Sequence, residues 1–117
     1  MKWSSLSIVM AAFNEEEALP ICVERTLDFL RTHVDDGELV IVNDGSADGT
    51  AELIDKLALR EPEIIAGHLA QNSGMGAALL EGYGMASKEW IAMMPADGQI
   101  DAFEFLNFFE VAANADV

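Results

Sequence analysis

A chain of 117 residues, 51% of them apolar, is the size of one domain and can bury one modest core but not two. Its 21 acidic residues against 6 basic ones give a formal charge of -15, which repels a phosphate backbone and an anionic lipid surface alike and argues against nucleic-acid binding. An anionic ligand would need backbone N–H groups, helix N-termini or a bound cation, because Lys2, Arg25, Arg31, Lys56, Arg60 and Lys88 are scattered rather than clustered.

The first element is a short apolar strand, Leu6 to Met10. Asn14 follows, then Glu15, Glu16 and Glu17, a pattern that caps and charges a helix start. That helix is expected to run to about Thr32, with Leu19, Val23, Leu27 and Leu30 forming its apolar face. Cys22, the only cysteine, excludes an intrachain disulfide or a cysteine-cluster zinc site and reads as a buried thiol. His33 falls near the helix C-terminus, where an imidazolium would interact well with the dipole, and reads as structural.

Asp35-Asp36-Gly37 is expected to break the chain before a second strand, Leu39 to Val42, whose continuous apolar character implies burial on both faces. It ends at Asn43-Asp44-Gly45-Ser46. Asp48-Gly49-Thr50 then leads into a helix carrying Leu53, Ile54 and Leu57, stopped by Glu61-Pro62. A third strand is expected at about Ile64 to Leu69, containing His68, which also reads as structural. After an Asn72-Ser73-Gly74 turn come a helix over Ala77 to Ala86, a strand over Trp90 to Met94 halted by Pro95, and an amphipathic helix over Ala102 to Ala113. In that last helix Phe103, Phe105, Phe108 and Phe109 read as a core stripe. Strands alternating with helices predict an α/β fold, a Rossmann-like and mainly parallel sheet with flanking helices. No secretory signal and no apolar run near ~18 residues stands out, so the chain reads as cytoplasmic.

Ligands of such sheets bind beyond the carboxyl ends of the strands. Four polar loops fall there: 11–15, 43–46, 71–76 and 96–101. Asp44, with Gly45 giving the backbone room to turn, either accepts hydrogen bonds from a base or ribose or forms an Asx-turn that caps the next helix. Gly74-Met75-Gly76-Ala77-Ala78 is either a phosphate-approach loop or a plain helix start. Leu79 stands where the dinucleotide fingerprint has its third glycine, which disfavours a dehydrogenase. Asp97 and Gln99 are spaced so that a carboxylate and an amide oxygen can face one hard cation, although acidic turn residues are common without a metal.

Taken in order, these loops resemble the family 2 glycosyltransferases, most closely the branch similar to dolichyl-phosphate mannose synthase and the polyprenyl-phosphate glycosyltransferases. The resemblance is carried by Val9-Met10-Ala11-Ala12-Phe13-Asn14-Glu15, by Val42-Asn43-Asp44-Gly45-Ser46-Ala47-Asp48-Gly49-Thr50, by Asn72-Ser73-Gly74-Met75-Gly76-Ala77-Ala78 and by Ala96-Asp97-Gly98-Gln99. It implies a sheet of the nucleotide-diphospho-sugar transferase type. Ala11, Phe13 and Glu15 would line the base and ribose, Asp44 would hydrogen-bond the base, and Gly74 and Gly76 would approach the donor. Asp97 with Gln99 would hold Mg2+ or Mn2+ on the diphosphate. The implied reaction is inverting transfer of a hexose from a UDP- or GDP-sugar to an acceptor such as a polyprenyl phosphate.

Two departures stand out. The family pattern usually has an aspartate two positions before the one matched by Asp97, and here that position is Pro95. Family members also continue into an acceptor-binding segment and often into membrane helices, so residues 1–117 are expected to be the donor-binding part of a longer enzyme, inactive alone, whose parent associates with the inner face of a membrane. Missing sheet neighbours would leave an apolar face that favours a homo-oligomer. The competing reading is a noncatalytic nucleotide-sugar-binding or oligomer-forming module. A related nucleotidyltransferase is discounted, because Ala11-Ala12-Phe13-Asn14-Glu15 lacks the glycine-rich basic loop such enzymes place after the first strand.

Overall fold

The computed structural model describes residues 3–98 together with 102 and 103. Seven elements alternate: β1 (Trp3–Ala12), α1 (Leu19–His33), β2 (Val34–Asp44), α2 (Thr50–Arg60), β3 (Ile64–Leu69), α3 (Met75–Met85) and β4 (Trp90–Pro95). The four strands form one sheet in the order β3-β2-β1-β4, and every pairing is parallel. The α/β expectation therefore holds, with all four strands near their predicted places.

The two central strands read as apolar runs because helices cover both faces. Leu6, Ile8, Met10 and Ala12 of β1 join Leu39 and Ile41 of β2 in one cluster with Leu19, Val23, Leu27, Phe29 and Leu30 of α1 and Ile54 and Leu57 of α2. The alternate residues Val9, Ala11, Val40 and Val42 meet Ala78 of α3. This second layer is thin, and Gly82 sets how closely it approaches: a methyl group built there would overlap Val9 Cγ1 and press on Val42. Cys22 is a buried thiol outside any disulfide, as expected, and Phe103 packs edge-on against Phe29. The other phenylalanines of the predicted last helix, and the helix itself beyond Ala102 and Phe103, lie outside the described residues. No helix among the described residues is long and apolar enough to cross a membrane.

Two expectations fail locally. The first helix begins at Leu19 rather than beside Asn14, and its N-cap position, Ala18, makes no side-chain cap. Asn14 instead has a positive φ of 53° and directs its side chain to another loop. The Asp35-Asp36-Gly37 segment, read as a break, belongs to β2, where Asp36 pairs with Ser5 and Gly37 with Leu6. Pairing with an already formed neighbour satisfies this backbone, and that outweighs the local turn preference.

At the amino end of the sheet, Glu38 is buried and points to the α3 side. It accepts hydrogen bonds from the Ser7 hydroxyl (2.5 Å) and from the Ser87 N–H (2.7 Å) and hydroxyl (2.9 Å), while Ser7 Oγ accepts the Lys88 N–H at 3.1 Å. Burial pushes the Glu38 carboxyl up, but the bonds from Ser7 and Ser87 outweigh it and hold the group below the ordinary glutamate value. This clasp ties the chain leaving α3 to β1 and β2 before β4 starts. Farther out, Arg31 at the end of α1 bonds Glu61 and Glu63 at 2.7 Å each and lowers both carboxyl groups.

Candidate functional site at the carboxyl rim

Because the sheet is parallel, the carboxyl ends of all four strands face one rim. Ala11 is level with Val42 of β2 and with Pro95 of β4. Asp44, the last residue of β2, and Asp97, past the end of β4, each lie two residues beyond that level. The ends of β2 and β4 are two strand spacings apart across the sheet, roughly 10 Å for inter-strand distances of about 4.8 Å.

The rim loops are tied to one another by backbone donors. The N–H groups of Asn14 and Glu15 are bonded to the hydroxyls of Ser46 (3.0 Å) and Thr50 (2.9 Å), and that of Glu16 faces the Asp48 carboxylate. In return, Asn14 Oδ1 accepts the N–H of Ala47 at 2.8 Å. Asp48 accepts both the hydroxyl (2.5 Å) and the N–H (3.0 Å) of Thr50, and the hydroxyl bond is the main reason its carboxyl lies below the ordinary aspartate value. The run from Ser46 to Thr50 therefore grips the β1–α1 loop as well as starting α2. The reading of Asp44 as the cap of α2 fails: the N-cap position is Gly49, with no side-chain cap bond, and the Thr50 N–H is taken by Asp48.

Asp44 turns the other way. It is buried, and its Oδ1 accepts the Ser73 N–H at 2.7 Å while Oδ2 accepts the Gly74 N–H at 3.0 Å and Asn72 Nδ2 at 3.1 Å. The two loops touch so closely that a Cβ on Gly45, whose φ is +64°, would run into the backbone of Gln71 and Asn72. Only glycine satisfies both the backbone angle and the clearance. Asp44 thus fixes the loop that leads into α3, a contact that local sequence did not reveal.

The remaining predicted residues fall around this frame. Ala11 is buried under α3 and its carbonyl accepts the Ala96 N–H at 3.3 Å, so it supports the rim from inside the sheet. Phe13 is exposed and Glu15 half-buried at the mouth between β1 and α1. Gly74, with φ +99°, precedes the first turn of α3 and Gly76 lies within it; a Cβ at either would meet nothing within 4 Å, so the space beside both is open. Asp97 is half-buried just past β4 and is followed by Gly98 at φ +81°. Gln99 lies outside the described residues. Among the described residues no group of three or more His, Cys, Asp or Glu side chains could hold a metal ion. Of the two residues expected to face a cation, only Asp97 lies among the described residues; a carboxylate is a hard oxygen ligand of the kind Mg2+ takes together with substrate phosphates. Sequence reasoning put Asn43 and Asn72 in rim loops but missed the contacts they make, to His68 and Ser46 and to Asp44, and read His68 only as a structural strand residue.

Comparison with known proteins gives this geometry a context. Residues 7–114 match the profile of glycosyl transferase family 2. The chain is 39% identical over 108 residues to a dolichyl-phosphate beta-glucosyltransferase of Trichomonas vaginalis, covering 86% of this chain and 33% of that protein. It is 37% identical over 113 residues to the undecaprenyl-phosphate 4-deoxy-4-formamido-L-arabinose transferase of Yersinia enterocolitica, covering 95% and 34%. The chain thus spans about a third of the length of these curated relatives. Among solved structures, S. aureus TarS 1-349 in complex with UDP-GlcNAc superposes with a TM-score of 0.70 at 22% identity over 97% of this chain and 32% of that one. The mannosyltransferase of Pyrobaculum calidifontis in complex with GDP-Man and Mn2+ gives 0.65 at 23% over 81% and 28%. At those identities the likeness establishes a shared fold.

Proposed function

The chain belongs to glycosyl transferase family 2, and we propose that it forms the donor-binding part of an enzyme transferring a hexose from a UDP- or GDP-sugar to a polyprenyl phosphate with inversion. The observation that supports this reading is that Asp44 and Asp97 stand at one rim, at the ends of β2 and β4, strands two spacings apart, about the reach from a base to a diphosphate. The polyprenyl phosphate follows from the relatives' names, which specify dolichyl and undecaprenyl phosphate. Such an acceptor supports association of the parent enzyme with a membrane, at its inner face in this reading.

In this reading Phe13, Glu15 and the rim above Ala11 and Asp44 receive the base and ribose. The open backbone at Gly74 and Gly76 receives the phosphates, with N–H groups of the first turn of α3 as donors. An acceptor phosphate oxygen attacks the anomeric carbon from the face opposite the diphosphate; the bond from that carbon to the diphosphate oxygen breaks, and the nucleoside diphosphate leaves with the electron pair. The attacking oxygen is already ionised, so little general-base help is needed. Asp97, with Gln99, would hold Mg2+ or Mn2+, which supplies positive charge against the charge developing on the leaving group.

Titration of UDP-glucose and GDP-mannose into the chain, with and without Mn2+, tests the reading. Binding of one of them is expected to strengthen with Mn2+, and Asp97→Ala is expected to remove the Mn2+ effect while leaving the fold intact by circular dichroism. A folded chain that binds neither nucleotide would falsify the proposal. The noncatalytic alternative is favoured by one feature, Pro95 at the usual aspartate position. Nucleotide binding by the parent enzyme without any sugar transfer to a polyprenyl phosphate would select it.

A further inference from the structure

We infer that His68, on the outer strand β3, is a positioning residue that holds the Asn43–Ser46 turn of the donor site in place through Asn43. The inference rests on the donor-site reading above. Its basis is one connected set of hydrogen bonds that crosses four segments of the chain.

Asn43 is buried at the end of β2, and its side-chain amide must be satisfied at both ends. Its Oδ1 accepts the Ser46 N–H at 2.9 Å, which closes the turn. That bond fixes the orientation of the amide, so Nδ2 faces His68, the paired residue on β3, at 3.2 Å from Nδ1. An NH2 group only donates, so Nδ1 accepts and the ring proton sits on Nε2. Nε2 lies 2.7 Å from Asp55 Oδ1 on α2 and donates to it. Beyond Ser46 the set continues, because the Ser46 hydroxyl accepts the Asn14 N–H at 3.0 Å. The order is Asp55, His68, Asn43, Ser46, Asn14.

Every donor and acceptor role in this set is fixed by its neighbour. If Nδ1 stops accepting, Asn43 either leaves its Nδ2 unpaired or turns its amide over, and the turned amide would set its NH2 against the Ser46 N–H. Both outcomes loosen the turn that carries Asp44, whose carboxylate fixes the loop before α3. His68 thus bears on both walls of the donor site without lying at the rim itself. Its own side chain is partly exposed, at 34%, and Asp55 is more so, at 60%. Replacement of the imidazole therefore disturbs little of the core.

The two ring nitrogens can be tested apart, since an asparagine oxygen falls near the place of Nδ1 and a glutamine terminus near that of Nε2. The experiment compares the wild-type chain with His68→Asn, His68→Gln and His68→Leu, reading amide hydrogen exchange at Ser46 by NMR and Kd for UDP and GDP in the presence of Mn2+. His68→Gln and His68→Leu are expected to exchange faster at Ser46 and bind nucleotide more weakly, by about threefold to tenfold, the worth of one hydrogen bond. His68→Asn is expected to restore both readouts. Ser46 exchange that is alike in all four proteins overturns the inference, as does altered exchange with unaltered Kd, or His68→Asn behaving as His68→Leu. A folded wild-type chain that binds neither nucleotide removes the donor site itself, and the Ser46 exchange then separates that failure from failure of the His68 coupling.

Discussion

Replacing Asp44 by Asn is a severe change, although it keeps the shape of the side chain. Each carboxylate oxygen of Asp44 is committed to a backbone donor, Oδ1 to Ser73 and Oδ2 to Gly74, and Oδ2 also accepts from Asn72. In the asparagine, one of those oxygens becomes an NH2 group. Whichever way the amide turns, at least one backbone N–H faces another donor. A hydrogen bond to a charged acceptor is worth about 1.5–3 kcal/mol, and an unpaired donor costs a similar amount, so the loop before α3 loses about 3 kcal/mol, roughly a hundredfold in its local opening equilibrium. Asp44→Ala removes the acceptors but creates no opposed donors and lets water reach the freed N–H groups at the rim. Asn is therefore expected to be at least as damaging as Ala. Amide hydrogen exchange by NMR reads this directly: Ser73 and Gly74 should exchange about a hundredfold faster in Asp44→Asn, while Ile41, in the core of β2, changes little. Wild-type protection at Ser73 and Gly74 in that variant would refute the clamp, and a simultaneous loss of nucleotide binding would assign the role of Asp44 to direct ligand contact.

Glu38→Gln should destabilise the chain in a pH-dependent way. The folded-state pKa of Glu38 is depressed, so its contribution is present above the ordinary glutamate value and is lost as pH falls through the depressed one. Urea unfolding should show a deficit of about 1–2 kcal/mol at pH 7 that shrinks below about pH 4; a deficit independent of pH would exclude this account. On α3, Gly82→Ala and Gly84→Ala should have opposite signs, because a methyl at Gly82 overlaps Val9 whereas one at Gly84 meets nothing within 4 Å. Thermal unfolding should place the first about 1–3 kcal/mol below wild type and the second about 0.5–1 kcal/mol above it. Equal shifts would mean that α3 can lift from the sheet at no cost.

Strand order was not available from composition, yet the rim was readable because parallel strands place every following loop on the same side. Leu39 to Val42 and Ile64 to Leu69 could be located since their apolar runs are short and bounded by turn residues. The start of α1 was not, because the cap signature at Asn14 is local whereas its oxygen is used 33 residues away, on Ala47. Asp35-Asp36-Gly37 misled for a similar reason: its turn chemistry is overridden by β1, against which Asp36 and Gly37 are paired. His68 was read as a structural strand residue. Its parity, with Ile64 and Ala66 packed in the α1 and α2 layer, would have put it on the α2 side, but its neighbour Asn43 depends on a register that only the folded sheet supplies.

The loop signatures that identify the family are largely spent on the protein itself. Ser46 and Thr50 bind the N–H groups of Asn14 and Glu15, Asp48 faces that of Glu16, and Asp44 binds those of Ser73 and Gly74. Ordering three loops by their own contacts lowers the entropy that a ligand must remove on binding. The same economy leaves few side chains to meet the ligand. Besides Phe13, the predicted site side chains at the rim include Glu15 and Asp97, both acidic, within a chain of formal charge -15. A diphosphate placed there is repelled unless its charge is balanced. Open backbone donors within the first turn of α3 can offset part of it, and a divalent cation on Asp97 would offset the rest, so nucleotide affinity should depend more steeply on Mn2+ than on any one side chain.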